Sequence, residues 1–160
     1  YAFGFPASAH LAAGLEQKHI DPEKILRSFS YLAGMFDFVL VEGLGGLLVP
    51  YSAESVVADI VSELDIPVLI VAANRLGVIN HTLLTIEALK SRGLKTAGIV
   101  YNDTEPASNE IIKDDNPDII ERLSGVPSLG RLCWSDDTEL MYREIEPVGD
   151  KLLERLEEIQ

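Results

Sequence analysis

Three short runs of apolar residues constrain this chain more than anything else in it. They are Phe38 to Val41 (FVLV), Pro67 to Val71 (PVLIV) and Thr96 to Tyr101 (TAGIVY). Each is continuous rather than alternating, and each contains Val with Ile or Leu. A strand covered on both faces reads this way, whereas a strand with one wet face alternates. Ser128 to Leu132 is a weaker fourth candidate. The segments between carry helical spacing. Asp21 to Ala33 places Ile25, Leu26, Phe29 and Leu32 at helical intervals, with Asp21 as N-cap and Pro22 at the first helical position. Val56 to Leu64 reads as a short amphipathic helix. Asn80 to Arg92 carries Leu83, Leu84, Ile86, Ala88 and Leu89, with Asn80 as its cap, and stops at Gly93. A last helix spans Val148 to Ile159. Asp103 to Asp118 reads as a loop around a short helix, and Pro6 to His10 as a small-residue turn.

Strands alternating with helices need crossover connections, and these build a parallel sheet. The 160 residues read as a single α/β domain, long enough for a real core. Ligands of such sheets bind beyond the carboxyl ends of the strands. The informative residues are therefore those that follow Val41, Val71 and Tyr101.

Glu42-Gly43-Leu44-Gly45-Gly46 follows the first run. A carboxylate at a strand end is costly unless it meets a cation or donors. The three glycines let backbone N–H groups approach an anion closely. The pair of features suits a metal-binding acid beside an anion cradle, and equally a tight turn with a solvated Glu. Asn74-Arg75-Leu76-Gly77-Val78-Ile79-Asn80-His81 follows the second run and leads into a helix. The free N–H groups of a first helical turn suit a carboxylate or phosphate, although a plain capped helix reads the same way. Asn102-Asp103 follows the third run. An Asn amide both donates and accepts, which suits an adenine edge, and an Asn–Asp turn is the alternative. His81 and Cys133 have no partner at ligand or catalytic spacing, so both read as bystanders.

Composition narrows the partners. A net charge of -13 repels nucleic acid and anionic membrane. No apolar run reaches the roughly 18 residues of a membrane span, and no signal peptide is visible. The single cysteine excludes an internal disulfide framework and suits a reducing cytoplasm. The expected partners are small molecules.

The segments VEGLGGLLVP, NRLGVINHTLLT and YNDTEP, with the opening FPASAH, occur here in one order. Together they resemble the dethiobiotin synthetase family over nearly the whole chain. The resemblance implies a parallel-sheet P-loop NTPase-like fold with helices on both faces. It implies ATP- and Mg2+-dependent closure of a ureido ring, from 7,8-diaminononanoate and CO2 to dethiobiotin. It also assigns roles. Glu42 binds Mg2+, and Gly43, Leu44 and Gly45 line the nucleotide and the carbamate with backbone donors. Ser8 lies near the diamine. Gly77, Val78, Ile79 and Asn80 hold the substrate carboxylate across a homodimer interface. Asn102 reads adenine with Asp103 beside it, and Arg131, Leu132 and Cys133 line the base. The family often has proline at the position of Cys133, and a substrate-side tyrosine has no counterpart around Asp114. No GxxxxGK[ST] loop occurs in these residues. The resemblance places that loop before Tyr1, so the chain reads as the carboxy-terminal two-thirds of such an enzyme. The alternatives are an amide-forming synthetase of the cobyrinate type, which shares VEGxGG but not LGxINH, and a catalytically inactive regulatory domain of the same fold.

Overall fold

A computed structural model describes residues 1–105 and 109–159. The segment 106–108, inside the expected loop and including the proline of YNDTEP, lies outside the described residues. The chain forms two compact units, Tyr1–Ile66 and Pro67–Gln160.

The second unit contains the sheet. Strands β1 (Val68–Ala73), β2 (Thr96–Asn102) and β3 (Ser128–Leu132) pair in that order, and both pairings are parallel. The expected α/β class and parallel sheet are therefore present. Helices α4 (Val78–Ser91), α5 (Glu110–Ser124) and α6 (Thr138–Glu158) alternate with the strands or follow them. The central strand explains its own sequence: Ala97 through Tyr101 are all buried, so no position in TAGIVY needs to be polar. On one side of the sheet Val100 and Leu129 pack against Val148 of α6, with Leu69, Leu132 and Leu152 around them.

That packing fixes a glycine. A Cβ added at Gly98 would lie 2.6 Å from Leu129 Cγ and 2.9 Å from each of its terminal methyls. Leu129 is buried and has little freedom to withdraw. Gly98→Ala is expected to destabilise the protein by about 1–3 kcal/mol through overpacking. Urea denaturation of the full-length protein measures this, and an unchanged midpoint would show that Leu129 rearranges freely.

Three helix boundaries differ from the sequence expectation. α4 begins at Val78, because Gly77 takes φ 94° and serves as the N-cap. Asn80 is thus the third helical residue and not the cap. Only glycine adopts that left-handed geometry without strain, so it fixes the start ahead of a better-looking cap. α5 runs for 15 residues where a short helix within a loop was expected. Its Asp- and Asn-rich start and internal Pro117 disguise it. α6 starts at Thr138, ten residues before the expected Val148, because Pro147 sits inside it without ending it. Asp137 caps that earlier start by accepting from the N–H groups of Glu139 and Leu140.

The first unit is helical. It holds α1 (Ala9–Leu15), α2 (Pro22–Ala33) and α3 (Val57–Leu64). Ala9, Ala13 and Ile20 form its small core, with Phe3, Ile25 and Tyr51 packed around them. Helix α1 occupies part of the stretch expected to be a turn; its alanine-rich sequence is a strong helix former. α2 starts where expected, with Asp21 accepting from the Glu23 N–H at 3.0 Å. α3 is held at its start by Asp59, which accepts from the Val56 N–H at 2.8 Å.

Residues 38–41 are not a strand. Phe38, Leu40 and Val41 are exposed, and no backbone hydrogen bond reaches the segment among the described residues. Apolar sequence makes a strand only where a neighbour supplies the other half of the ladder. In this unit the described residues supply a single antiparallel bridge, Pro50 to Val56.

Candidate functional site

The pairing register aligns three residues across the carboxyl ends of the strands. Ala73 on β1 is level with Asn102 on β2, and Asn102 with Leu132 on β3. The residue just after each strand begins a second row: Asn74, Asp103 and Cys133. The Asn74 N–H donates to the Asn102 carbonyl at 2.8 Å, and the Asp103 N–H donates to the Leu132 carbonyl at 2.9 Å. This is where ligands bind in open α/β sheets.

A charged cluster is built into the second row. The Asp103 side chain is 3% exposed, that of Lys113 on α5 is 6%, and that of Arg131 on β3 is 22%. Arg131 Nε lies 3.1 Å from both Asp103 oxygens, and its Nη2 lies 2.6 Å from Oδ2. Lys113 Nζ stands 3.2 Å from the same Oδ2. Asn74 donates from Nδ2 to Asp103 Oδ1 at 3.1 Å. Further out, Glu110 and Asp114 accept from Arg131 at 2.6 and 2.7 Å. Buried charge is tolerated when paired and hydrogen-bonded in this way.

Proline completes the arrangement. Pro117 has no N–H to give to the carbonyl four residues earlier, which belongs to Lys113. That orphaned carbonyl accepts from Asn74 Nδ2 at 3.1 Å instead. One residue before the proline, Asn116 donates to Asn74 Oδ1 at 2.9 Å. The helix irregularity and the strand end are thus two halves of one hydrogen-bond network.

The electrostatics follow from the contacts. Burial pulls the Asp103 carboxyl upward, but Arg131, Lys113 and Asn74 together outweigh it and hold the group below its ordinary value. Arg131, paired above all with Asp103 and then with Glu110, is held more firmly protonated than usual. Glu110 is lowered, first by its bond from Arg131. One residue before Asn102, burial and then the Glu121 carboxylate push the Tyr101 phenol up to about 12. Its hydroxyl has no partner among the described residues. Desolvation, then the Glu144 carboxylate, pushes the Cys133 thiol up, which agrees with its reading as an unreactive group.

The structure brings five of the expected site residues together: Asn102, Asp103, Arg131, Leu132 and Cys133. The Asn102 amide makes no side-chain hydrogen bond among the described residues, so both its donor and acceptor edges are free. The Asp103 and Arg131 side chains, by contrast, are committed to each other. Gly77 to Asn80 form the cap and first turn of α4. By helix geometry the N–H groups of Ile79 and Asn80 have no intrahelical acceptor. A cavity of about 120 Å³ beside this turn is lined by Ile70, Ala72, Arg75, Val78, His81 and Thr82 among others.

The other expected site residues lie in the first unit. Ser8 is the N-cap of α1, yet its hydroxyl makes no capping bond. Glu42 is exposed, in irregular chain. After it Gly45 turns at φ 73°, and the loop folds back so that Leu47 and Val49 accept from the first N–H groups of α3. Among the described residues no group of three or more His, Cys, Asp or Glu side chains could enclose a metal. A lone carboxylate still suits Mg2+, which in nucleotide sites takes one or two carboxylates, substrate phosphates and water.

Sequence reasoning missed the structural roles of Asn74, Lys113 and Asn116. The signal for Asn74 was available, since it directly follows an apolar run. Lys113 and Asn116 were hidden inside a segment expected to be mostly loop.

Residues 1–141 match a family model described as an AAA domain. The chain belongs to this AAA domain family. It is 40% identical to the ATP-dependent dethiobiotin synthetase BioD of Thermodesulfovibrio yellowstonii, over 81% of this chain and 57% of that protein. It is 39% identical to the enzyme of the same name from Bacillus subtilis, over 81% of this chain and 56% of that one. A third relative, from Chlorobaculum tepidum, is 50% identical over 64% of this chain and 43% of its own length. The chain thus spans little more than half the length of the first two and less of the third. The sequence similarity and the parallel α/β sheet agree on a P-loop NTPase-like fold. No described helix is long and apolar enough to cross a membrane.

Proposed function

We propose that this chain carries the nucleotide-base end of an ATP-dependent dethiobiotin synthetase. The observation that carries the reading is Asn102. Its amide stands at the carboxyl end of the central strand with donor and acceptor uncommitted among the described residues, level with Leu132 on the next strand and with Cys133 just after it. An adenine edge needs one donor and one acceptor side by side, and an Asn amide matches it. In the same reading Asp103 and the backbone at Arg131, Leu132 and Cys133 complete the base pocket.

The remaining roles come from the family. One amine of 7,8-diaminononanoate adds to CO2 as a carbamate. The carbamate oxygen attacks the γ-phosphorus of ATP, releasing ADP and leaving a carbamic–phosphoric anhydride. The second amine attacks the carbonyl carbon, loses its proton and expels phosphate, which closes the ureido ring. Catalysis of such a transfer is mainly positioning and charge neutralisation. Glu42 would hold Mg2+, which would supply charge neutralisation at the transferring phosphoryl group. Gly43, Leu44 and Gly45 give backbone N–H groups to the nucleotide and carbamate. Ser8, whose hydroxyl makes no capping bond, meets the diamine. The turn of Gly77, Val78, Ile79 and Asn80 holds the substrate carboxylate: the Val78 N–H is taken by the Arg75 carbonyl at 3.1 Å, the N–H groups of Ile79 and Asn80 attract the anion, and the Arg75 cation beside the same cavity supports them. A homodimer places that turn against the other subunit's substrate, and light scattering of the full-length protein at micromolar concentration tests it. The reading also puts the enzyme in the cytoplasm.

Asn102→Ala in the full-length enzyme is expected to raise the ATP KM about tenfold and to erode preference for ATP over GTP, since a lost two-sided contact is worth about 1–3 kcal/mol. Trp134, the one tryptophan of these 160 residues, adjoins Cys133, and its emission is expected to change on titration with ATP. An Asn102→Ala enzyme with unchanged nucleotide preference would return Asn102 to a turn-forming role.

A further inference from the structure

The Asp103 cluster lies directly beside the residue assigned to the base, yet its own side chains are turned to one another. We propose that Arg131 is a positioning residue that works through Asp103 to hold the Asn102 amide in register with the nucleotide base. The inference rests on the nucleotide reading above and extends it to the Arg131 side chain, which is bonded to carboxylates of its own chain.

The argument starts from what Asn102 lacks. Its side chain has no hydrogen bond of its own among the described residues, so backbone alone sets its place. That backbone is fixed on both sides: the Asn102 carbonyl accepts from the Asn74 N–H, and the adjoining Asp103 N–H reaches Leu132. What fixes residue 103 therefore fixes Asn102. Asp103 is held from three elements at once, by Asn74 after β1, Lys113 on α5 and Arg131 on β3.

Arg131 is the member that sets orientation. A lysine ammonium is a point charge and leaves a carboxylate free to swing, whereas the guanidinium fork takes both oxygens in one plane. Here Nε lies equally far, 3.1 Å, from the two Asp103 oxygens, with Nη2 closing on one of them. Glu110 and Asp114 in turn hold the far side of the fork to α5. Cohesion alone does not require this arrangement, because apolar side chains of similar size commonly stabilise a core at least as well as a buried ion pair. Orientation does require it, since displacement by about 1 Å is enough to spoil a positioned contact.

The test uses the full-length enzyme with Arg131→Met and Arg131→Lys. Arg131→Met removes the fork and the charge. Arg131→Lys keeps the charge beside Asp103 and is the milder change, measured in case the Met variant does not fold. In both, the ATP KM is expected to rise, about tenfold for Met and several-fold for Lys, with kcat within about twofold and preference for ATP over GTP reduced. Lys lies between Met and wild type because it restores charge without the fork. A folded Arg131→Lys enzyme with wild-type KM and nucleotide preference would overturn the proposal, as would a loss confined to kcat. If the wild-type enzyme neither binds nor turns over ATP, the nucleotide reading fails and the positioning role fails with it. If Asn102→Ala shifts KM and the Arg131 variants do not, the positioning role alone fails.

Discussion

Asp103→Ala is expected to destabilise the full-length protein by about 3–5 kcal/mol, the usual cost of breaking a buried ion pair from one side. The substitution removes the acceptor shared by Lys113 and Arg131, whose side chains are 6% and 22% exposed. Among the described residues the two cations would keep the outer carboxylates of Glu110 and Asp114, which are 51% and 71% exposed and screened by water, and Lys113 the Glu105 carbonyl at 3.4 Å. The Asn74 amide would lose one of its acceptors as well. Total stabilities of about 5–15 kcal/mol make such a loss large. Urea denaturation gives the value, and a change under about 1 kcal/mol would mean that the cations find water or new partners. The same contacts fix a pH dependence. Asp103 is held below its ordinary value when folded, so its contribution is complete above the unfolded value of about 4 and is lost as pH falls through the folded one. The difference between wild type and Asp103→Ala should therefore shrink in acid. A constant gap down to pH 2 would contradict the assignment.

Glu42→Gln is expected to lower kcat/KM of the full-length enzyme by at least about 100-fold, or ~2.7 kcal/mol of transition-state stabilisation, with no change in its melting curve. Glutamine keeps the size and shape of the side chain and removes the charge that a Mg2+ ligand needs. Glu42 is exposed and makes no ion pair among the described residues, so the fold has nothing to lose. An added readout is the Mg2+ concentration for half-maximal rate, which should rise in the variant. Turnover within about threefold of wild type at ordinary Mg2+ would remove Glu42 from the metal site.

Much of the architecture was legible from residue pattern. Continuous apolar runs identified β1 and β2, and even the weaker Ser128 to Leu132 run proved to be a strand over those same residues. Asp21-Pro22 marked the start of α2, because capping chemistry is local and needs no distant partner. The same locality placed Asn102 and Asp103 at a strand end, and with it the likeness to dethiobiotin synthetases.

Where a partner decided the outcome, sequence reading failed. FVLV has the composition of a strand, but a ladder needs a second chain segment, and residues 38–41 have none among the described residues. Pro117 and Pro147 argue locally against helix, yet α5 and α6 continue through them. In α5 the orphaned Lys113 carbonyl finds the Asn74 amide, 39 residues away in sequence. Asp103, expected beside the base, also anchors Lys113 and Arg131. The sequence by itself determined which residues reach the carboxyl ends of the strands, since period and burial set that. Only the tertiary structure decided which of them remain free for a ligand, because hydrogen bonds and charges are shared out among residues that the chain brings together from far apart.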